Sequence, residues 1–115
     1  MKTCGSDEGG NLADTKVKEA FEALSASTRT EDRELVALLN RAFEAISANA
    51  FCGVQVPKRQ IPDVYRQRDP PVKNLWKYNL SRSWRLMYTV TSDGDIIAVV
   101  IEWLDHTGYD RRFGY

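Results

Sequence analysis

The stretch NLWKYNLSRSWRLMYTVTSDGDIIAVVIEWLDHTGYDRRFGY, Asn74 to Tyr115, decides the fold. It reads as three short strands, about 74–80, 84–91 and 96–104, followed by a polar tail carrying the only histidine. Asp93-Gly94 is the strongest reversal signal in the chain, because both residues tolerate positive φ. A two-residue loop there pairs Ser92 with Asp95, Val90 with Ile97, Tyr88 with Val99, Leu86 with Ile101 and Arg85 with Glu102. One face then carries Trp84, Leu86, Tyr88, Val90, Ile97, Val99, Ile101 and Trp103, and it must be buried. The other face carries Arg85, Met87, Thr89, Ala98, Val100 and Glu102. In the first strand the same alternation sends Trp76, Tyr78 and Leu80 inward and leaves Lys77 and Asn79 beside Arg85. The run 96–101 is apolar on both faces, which predicts a strand inside the sheet rather than at its edge.

Upstream, the periodicity changes from two to 3.6. Val17, Phe21 and Leu24 form one narrow apolar stripe over about Thr15 to Ser25. Leu35, Leu38, Leu39, Ala42, Phe43 and Ile46 form a broader one, as expected of a helix packed on a core. Thr28 followed by Glu31 has the spacing of a capping box. The second helix is expected to end near Ala50, with Gly53 available to stop it. The short link makes the two helices an antiparallel hairpin. Between Val54 and Val72, Pro57, Pro62, Pro70 and Pro71 rule out a long helix or a central strand, so a long connection is expected, with one helical turn near Asp63 to Arg66. Residues 1–14 are polar and Gly-rich and are expected to be mobile or irregular.

At 115 residues, 43% hydrophobic and 28% charged, the chain suits one folded domain. No apolar run is long enough to span a bilayer, and the first residues lack the apolar core of a signal peptide. Cys4 and Cys52 match no metal spacing and are read as reduced thiols of a cytoplasmic protein. The net charge of zero hides an asymmetry. Residues 1–50 hold six basic and nine acidic side chains, and residues 51–115 hold ten and seven. Within 57–92 the basic residues are Lys58, Arg59, Arg66, Arg68, Lys73, Lys77, Arg82 and Arg85, against only Asp63 and Asp69. This is the region expected to face an anion.

Most catalytic signatures are absent: no phosphate loop, no nucleophile elbow, no CxxC and no set of histidines for a metal. No cofactor is expected. What remains is acid–base and electrostatic chemistry on an anionic substrate, and RNA cleavage suits it. The ribose 2′-OH supplies the nucleophile, so the protein has only to align the chain, neutralise the phosphorane and move two protons. Lys77 and Arg85 on adjacent strands are candidates to hold the phosphate. His106 is the candidate proton carrier, and Tyr109 is a candidate to orient the ribose, stack on a base or shift a proton. Lys58, Arg59, Lys73, Asn79, Arg82, Arg111 and Arg112 are candidate RNA contacts. Each catalytic candidate also has a structural reading. Arg85 faces Glu102 in the deduced register, Lys77 is an ordinary strand lysine, His106 stands where a turn can be capped, and Tyr109 can pack on the sheet end. Trp76, Trp84 and Trp103 read as core.

A two-helix hairpin, then NLWKYNL (74–80), WRLMYTV (84–90), a tight turn, IIAVVIEWL (96–104) and DHTGYDRRFGY (105–115) together resemble the RelE/ParE superfamily of toxin–antitoxin toxins, and the RelE-like branch in particular. The resemblance covers residues 15–115 as one domain. It implies an α+β fold, with an N-terminal antiparallel helical hairpin packed on a twisted antiparallel sheet of three to four strands. It implies a ribosome-dependent mRNA endonuclease that needs no metal. Lys77 and Arg85 would then bind the scissile phosphate, with His106 and Tyr109 in acid–base or stacking roles. It also implies a cognate antitoxin protein that covers the basic cleft. The family usually opens with an edge strand, unlike residues 1–12 here. Asn79 stands where RelE-like toxins often carry a second lysine, and Thr107 where a basic residue is usual. These differences keep a second reading open: a ParE-like module that clamps a protein such as gyrase, or only binds an antitoxin, without cutting RNA.

Overall fold

The computed structural model describes residues 15–68 and 71–114. The expectation for residues 1–14 lies outside them. Two helices, α1 (Thr15–Ala26) and α2 (Thr30–Ala48), precede four strands: β1 (Val54–Val56), β2 (Leu75–Asn79), β3 (Trp84–Asp93) and β4 (Asp95–Asp105). A 3-10 turn (Lys58–Gln60) and the short helix α3 (Asp63–Arg66) lie between β1 and β2, and α4 (His106–Phe113) closes the chain. The sheet order is β1-β2-β3-β4 and every pairing is antiparallel. The fold is therefore the expected α+β type, a helical hairpin packed on an antiparallel sheet.

The hairpin forms for the reasons its periodicity gives. In α2, Leu35, Leu39, Ala42, Phe43 and Ile46 are buried. Each large one stabilises the fold by about 1.5–3 kcal/mol relative to exposure. Val17 of α1 is buried beside them, and Phe21 meets Phe43 edge-on with ring centres 5.3 Å apart. The capping box does not form. Arg29 is the N-cap and has no side-chain cap bond. Ser27 closes the turn instead: its Oγ accepts from the Arg29 N–H at 3.1 Å and donates to Asp32 Oδ2 at 2.7 Å. Nor does Gly53 end α2, whose C-cap is Asn49. Gly53 sits where the chain passes under β2, and a Cβ there would lie 2.7 Å from the Lys77 carbonyl oxygen.

The described part of the connection, 54–68 and 71–72, has more secondary structure than expected. Its first residues form the edge strand β1, paired Val54 with Lys77 and Val56 with Leu75. The helical turn at 63–66 is where the sequence puts it, as α3. Pro57 and Pro62 fall outside the strand and at the start of the helix, where a missing N–H costs nothing.

The largest departure is the register of β4. Asp93 pairs with Asp95 around Gly94, whose φ is 84°, so the strand is shifted by one residue from the expected Ser92–Asp95 register. A one-residue slip exchanges the two faces. Ala98 and Val100, not Ile97 and Val99, therefore face the helices. A bulge between Met87 and Tyr88 on one side and Val100 and Glu102 on the other then restores the original phase, and Trp103 packs with the helical core. Ile101 lies on the far face with Met87, and Arg85 pairs with Leu104 rather than Glu102.

The far face is not open, as the sequence suggests. A second core covers much of it: Val56, Ile61, Tyr65, Val72, Leu75, Met87 and Ile101, with Leu104, Tyr109 and Phe113 against them. The apolar strand β4 lies at the sheet edge and not inside it. Its middle is covered on both sides, Ala98 and Val100 by the hairpin and Ile101 by the second core, while Ile96 near its start is exposed.

Candidate nucleic-acid interface

The register of β2 with β3 puts Lys77 opposite Met87 and Asn79 opposite Arg85. Lys77, Asn79 and Arg85 thus share the face away from the helical hairpin, and Lys77 and Arg85 are diagonal neighbours across one strand boundary. The tail expected beyond β4 is the helix α4. Asp105 is its N-cap, with Oδ1 accepting from the Gly108 N–H at 2.7 Å, and Gly114 ends it at φ 76°.

This helix carries Tyr109 to the cation pair. Lys77 Nζ lies 5.4 Å from the Tyr109 ring centre and Arg85 Cζ 5.9 Å from it, both within cation–π range. Since both touch one ring, the two cations are separated by no more than about 11 Å, within reach of one sugar-phosphate linkage. The ring stacks on Phe113 with centres 4.5 Å apart, which keys it into the second core. Lys77, Arg85 and Tyr109 are half-buried and Asn79 is exposed.

Arg85 does more than face outward. Its Nη1 donates to the Ser81 carbonyl at 2.8 Å and to the Arg82 and Trp84 carbonyls at 3.2 Å each. The guanidinium thereby ties the β2–β3 turn and is fixed in place. A guanidinium carries five N–H donors, so bonds made by Nη1 do not exhaust the fork.

His106 opens α4. Its Nε2 is 3.4 Å from Asp110 Oδ2, one turn along, and its side chain is 70% exposed. It shares α4 with Tyr109, but the partner seen for its imidazole is Asp110, not Lys77 or Arg85. Lys58 and Arg59 lie exposed on the 3-10 turn, Lys73 just before β2, Arg82 in the β2–β3 turn and Arg111 in the last turn of α4. Arg112 points inward, its Nη2 donating to Glu102 Oε1 at 2.9 Å.

That contact belongs to a network the sequence did not reveal. Glu102 also accepts from the Tyr65 hydroxyl, and the Arg112 guanidinium lies over the Tyr65 ring at 5.8 Å. Burial, and next the Glu102 carboxylate, push the Tyr65 phenol far above its ordinary value, so it stays protonated and donates. Burial alone would lower the Arg112 pKa, but Glu102 and Tyr65 outweigh it and the net direction is upward. In the observed register the bulge in β4 returns Glu102 to the face of Met87, where the alternation of the sequence also puts it, beside Ile101. Among the described residues no cluster of three or more His, Cys, Asp or Glu side chains is placed to hold a metal ion. Nor is any helix among them long and apolar enough to cross a membrane.

Comparison with protein-family models, with curated proteins and with solved structures finds no match to this chain.

Proposed function

We propose that this protein is the toxin of a toxin–antitoxin pair, of RelE/ParE type, and that it cuts mRNA at the ribosome. The observation that carries the reading is the meeting of Lys77, Arg85 and Tyr109 on one side of the sheet. A phosphodiester laid across β2 and β3 would take charge-assisted hydrogen bonds from both cations. Those bonds would strengthen as the 2′-oxygen attacks phosphorus and negative charge builds on the phosphorane. The P–O5′ bond breaks, leaving a 2′,3′-cyclic phosphate and a 5′-hydroxyl. One proton leaves the 2′-hydroxyl and one arrives on O5′. His106 is the residue assigned to proton transfer, and Tyr109 supplies a ring on which a base or ribose can rest. A cognate antitoxin would act by covering the same cations.

The test is cleavage of mRNA on ribosomes with 5′ ends mapped. Arg85→Ala and His106→Gln are each expected to lower the rate at least about tenfold, about 1.4 kcal/mol of barrier. Wild-type rates in both variants remove the site assignment.

A second reading draws on one observation, the three carbonyls that already engage Arg85 Nη1. An arginine used as a turn clamp suits a ParE-like module that grips a protein target without chemistry. Growth arrest with no mapped cuts selects that reading.

A further inference from the structure

We infer that Glu102 is the positioning residue of this site: from the opposite side of α4's attachment it sets where the Tyr109 ring stands against Lys77 and Arg85. The inference rests on the proposed function for its kinetic consequence, but its geometric part does not.

The bulge opposite Met87 and Tyr88 places two consecutive residues of β4, Ile101 and Glu102, on the face under the connection and α4. Ile101 fills the second core. Glu102 is left as an acidic side chain at the edge of that core, 22% exposed. It meets one group from each covering element: the Tyr65 hydroxyl of α3 and the Arg112 guanidinium of α4. No other carboxylate among the described residues is bonded to both.

The helix needs such a tie. It has eight residues and none is buried. A helix this short is not stable on its own propensity, so contacts with the sheet must hold it. Asp105 fixes its first turn and Arg112 its last. Tyr109 lies between these two anchors. With both held, the ring faces the two cations; with the second released, the last turn frays and carries Phe113, on which Tyr109 stacks, away from the core. The Arg112 Nε atom is buried without a hydrogen-bond partner, so the guanidinium is held there chiefly by Glu102 and the Tyr65 ring. Neither Glu102 nor Arg112 touches the cation pair in any contact seen, so the action is through Tyr109.

The experiment compares Glu102→Gln, Arg112→Met and the double variant with wild type. Gln keeps an acceptor for Tyr65 and the side-chain volume, and removes the charge pair. In wild type, the Lys77 side-chain methylene protons are expected upfield in the NMR spectrum from the Tyr109 ring current, and Tyr109→Leu identifies that shift. The shift is expected to collapse in Glu102→Gln while the β3 amide spectrum stays as in wild type. On ribosomes, kcat is expected to fall at least about tenfold with KM unchanged, because phosphate binding by Lys77 and Arg85 is retained. The double variant is expected to lose no more than Glu102→Gln alone, since the two act as one unit. A Lys77 ring-current shift that survives in Glu102→Gln overturns the inference, as does a loss carried entirely in KM. A wild type that cuts no RNA, with the shift lost in Glu102→Gln, overturns the nuclease reading and supports Glu102 as the residue that positions the ring.

Discussion

Tyr88 joins the end of the helical hairpin to the centre of the sheet. Its hydroxyl donates to the Ala50 carbonyl at 2.8 Å and accepts from the Gly53 N–H at 3.0 Å, so one buried group satisfies two backbone groups of the α2–β1 turn. Gly53 is required by proximity: a Cβ would stand 2.7 Å from both the Lys77 carbonyl oxygen and the Tyr88 hydroxyl. The first is backbone and cannot move aside. Gly53→Ala is therefore expected to cost about 1–3 kcal/mol, read as a lowered denaturant midpoint. Tyr88→Phe leaves two polar groups without their partner and is expected to cost a similar amount, about 1–3 kcal/mol. The same phenol gives a pH dependence. Burial chiefly raises its pKa from 10.0 to about 12, so between those values the folded state holds a proton that the unfolded state has lost. Stability from this group is complete below pH 10 and is lost as pH rises towards 12. Denaturation at a series of alkaline pH values is expected to show a shallower decline in Tyr88→Phe than in wild type.

At the scale of elements, what was legible followed from local rules, and what was missed depended on partners far along the chain. The stripes of α1 and α2 are periodic in the sequence and bury as written. Lys77, Asn79 and Arg85 share a face because β2 and β3 are joined by a short turn whose register the alternation already constrains. The bulge at Ile101 left no mark, because an unbroken run of Ile, Val and Ala carries no alternation to fix its phase. β1 ends against Pro57 at the head of a proline-rich segment and is only three residues long, so it gives no strand signal. The helix α4 did have a signal: Asp105 ahead of its first turn and Gly114 past its last are ordinary cap residues. Tyr65 and Glu102 could not be paired by any spacing rule, since 37 residues separate them. The link between α1 and α2 offers a direct check on one correction. Ser27→Ala, which removes bonds to Arg29 and Asp32, is expected to cost about 1 kcal/mol. Thr28→Ala, at the position a capping box would use, is expected to change stability by less than about 0.5 kcal/mol. Equal losses at both positions would return the cap to Thr28.

Across the whole molecule, the basic residues concentrate in one layer. The helical hairpin is nearly neutral, with five basic and six acidic residues over 15–48, while Lys58, Arg59, Lys73, Lys77, Arg82, Arg85 and Arg111 all belong to the sheet, the connection and α4. A neutral chain can therefore still attract a polyanion to one side, and the attraction has a signature in salt. Binding of a short single-stranded RNA is expected to weaken linearly in log affinity against log salt. Removing one true phosphate contact lowers that slope by about 0.7. Lys77→Gln and Arg85→Gln are each expected to do so. Arg33→Gln and Arg41→Gln, exposed on α2, are expected to leave the slope unchanged, although they remove the same charge. Arg112→Gln is expected to leave it nearly unchanged as well, because Glu102 already neutralises that guanidinium. If the α2 arginines lowered the slope as much as Lys77 and Arg85, RNA would be responding to net charge alone, and the sheet face would have no special claim as the binding surface.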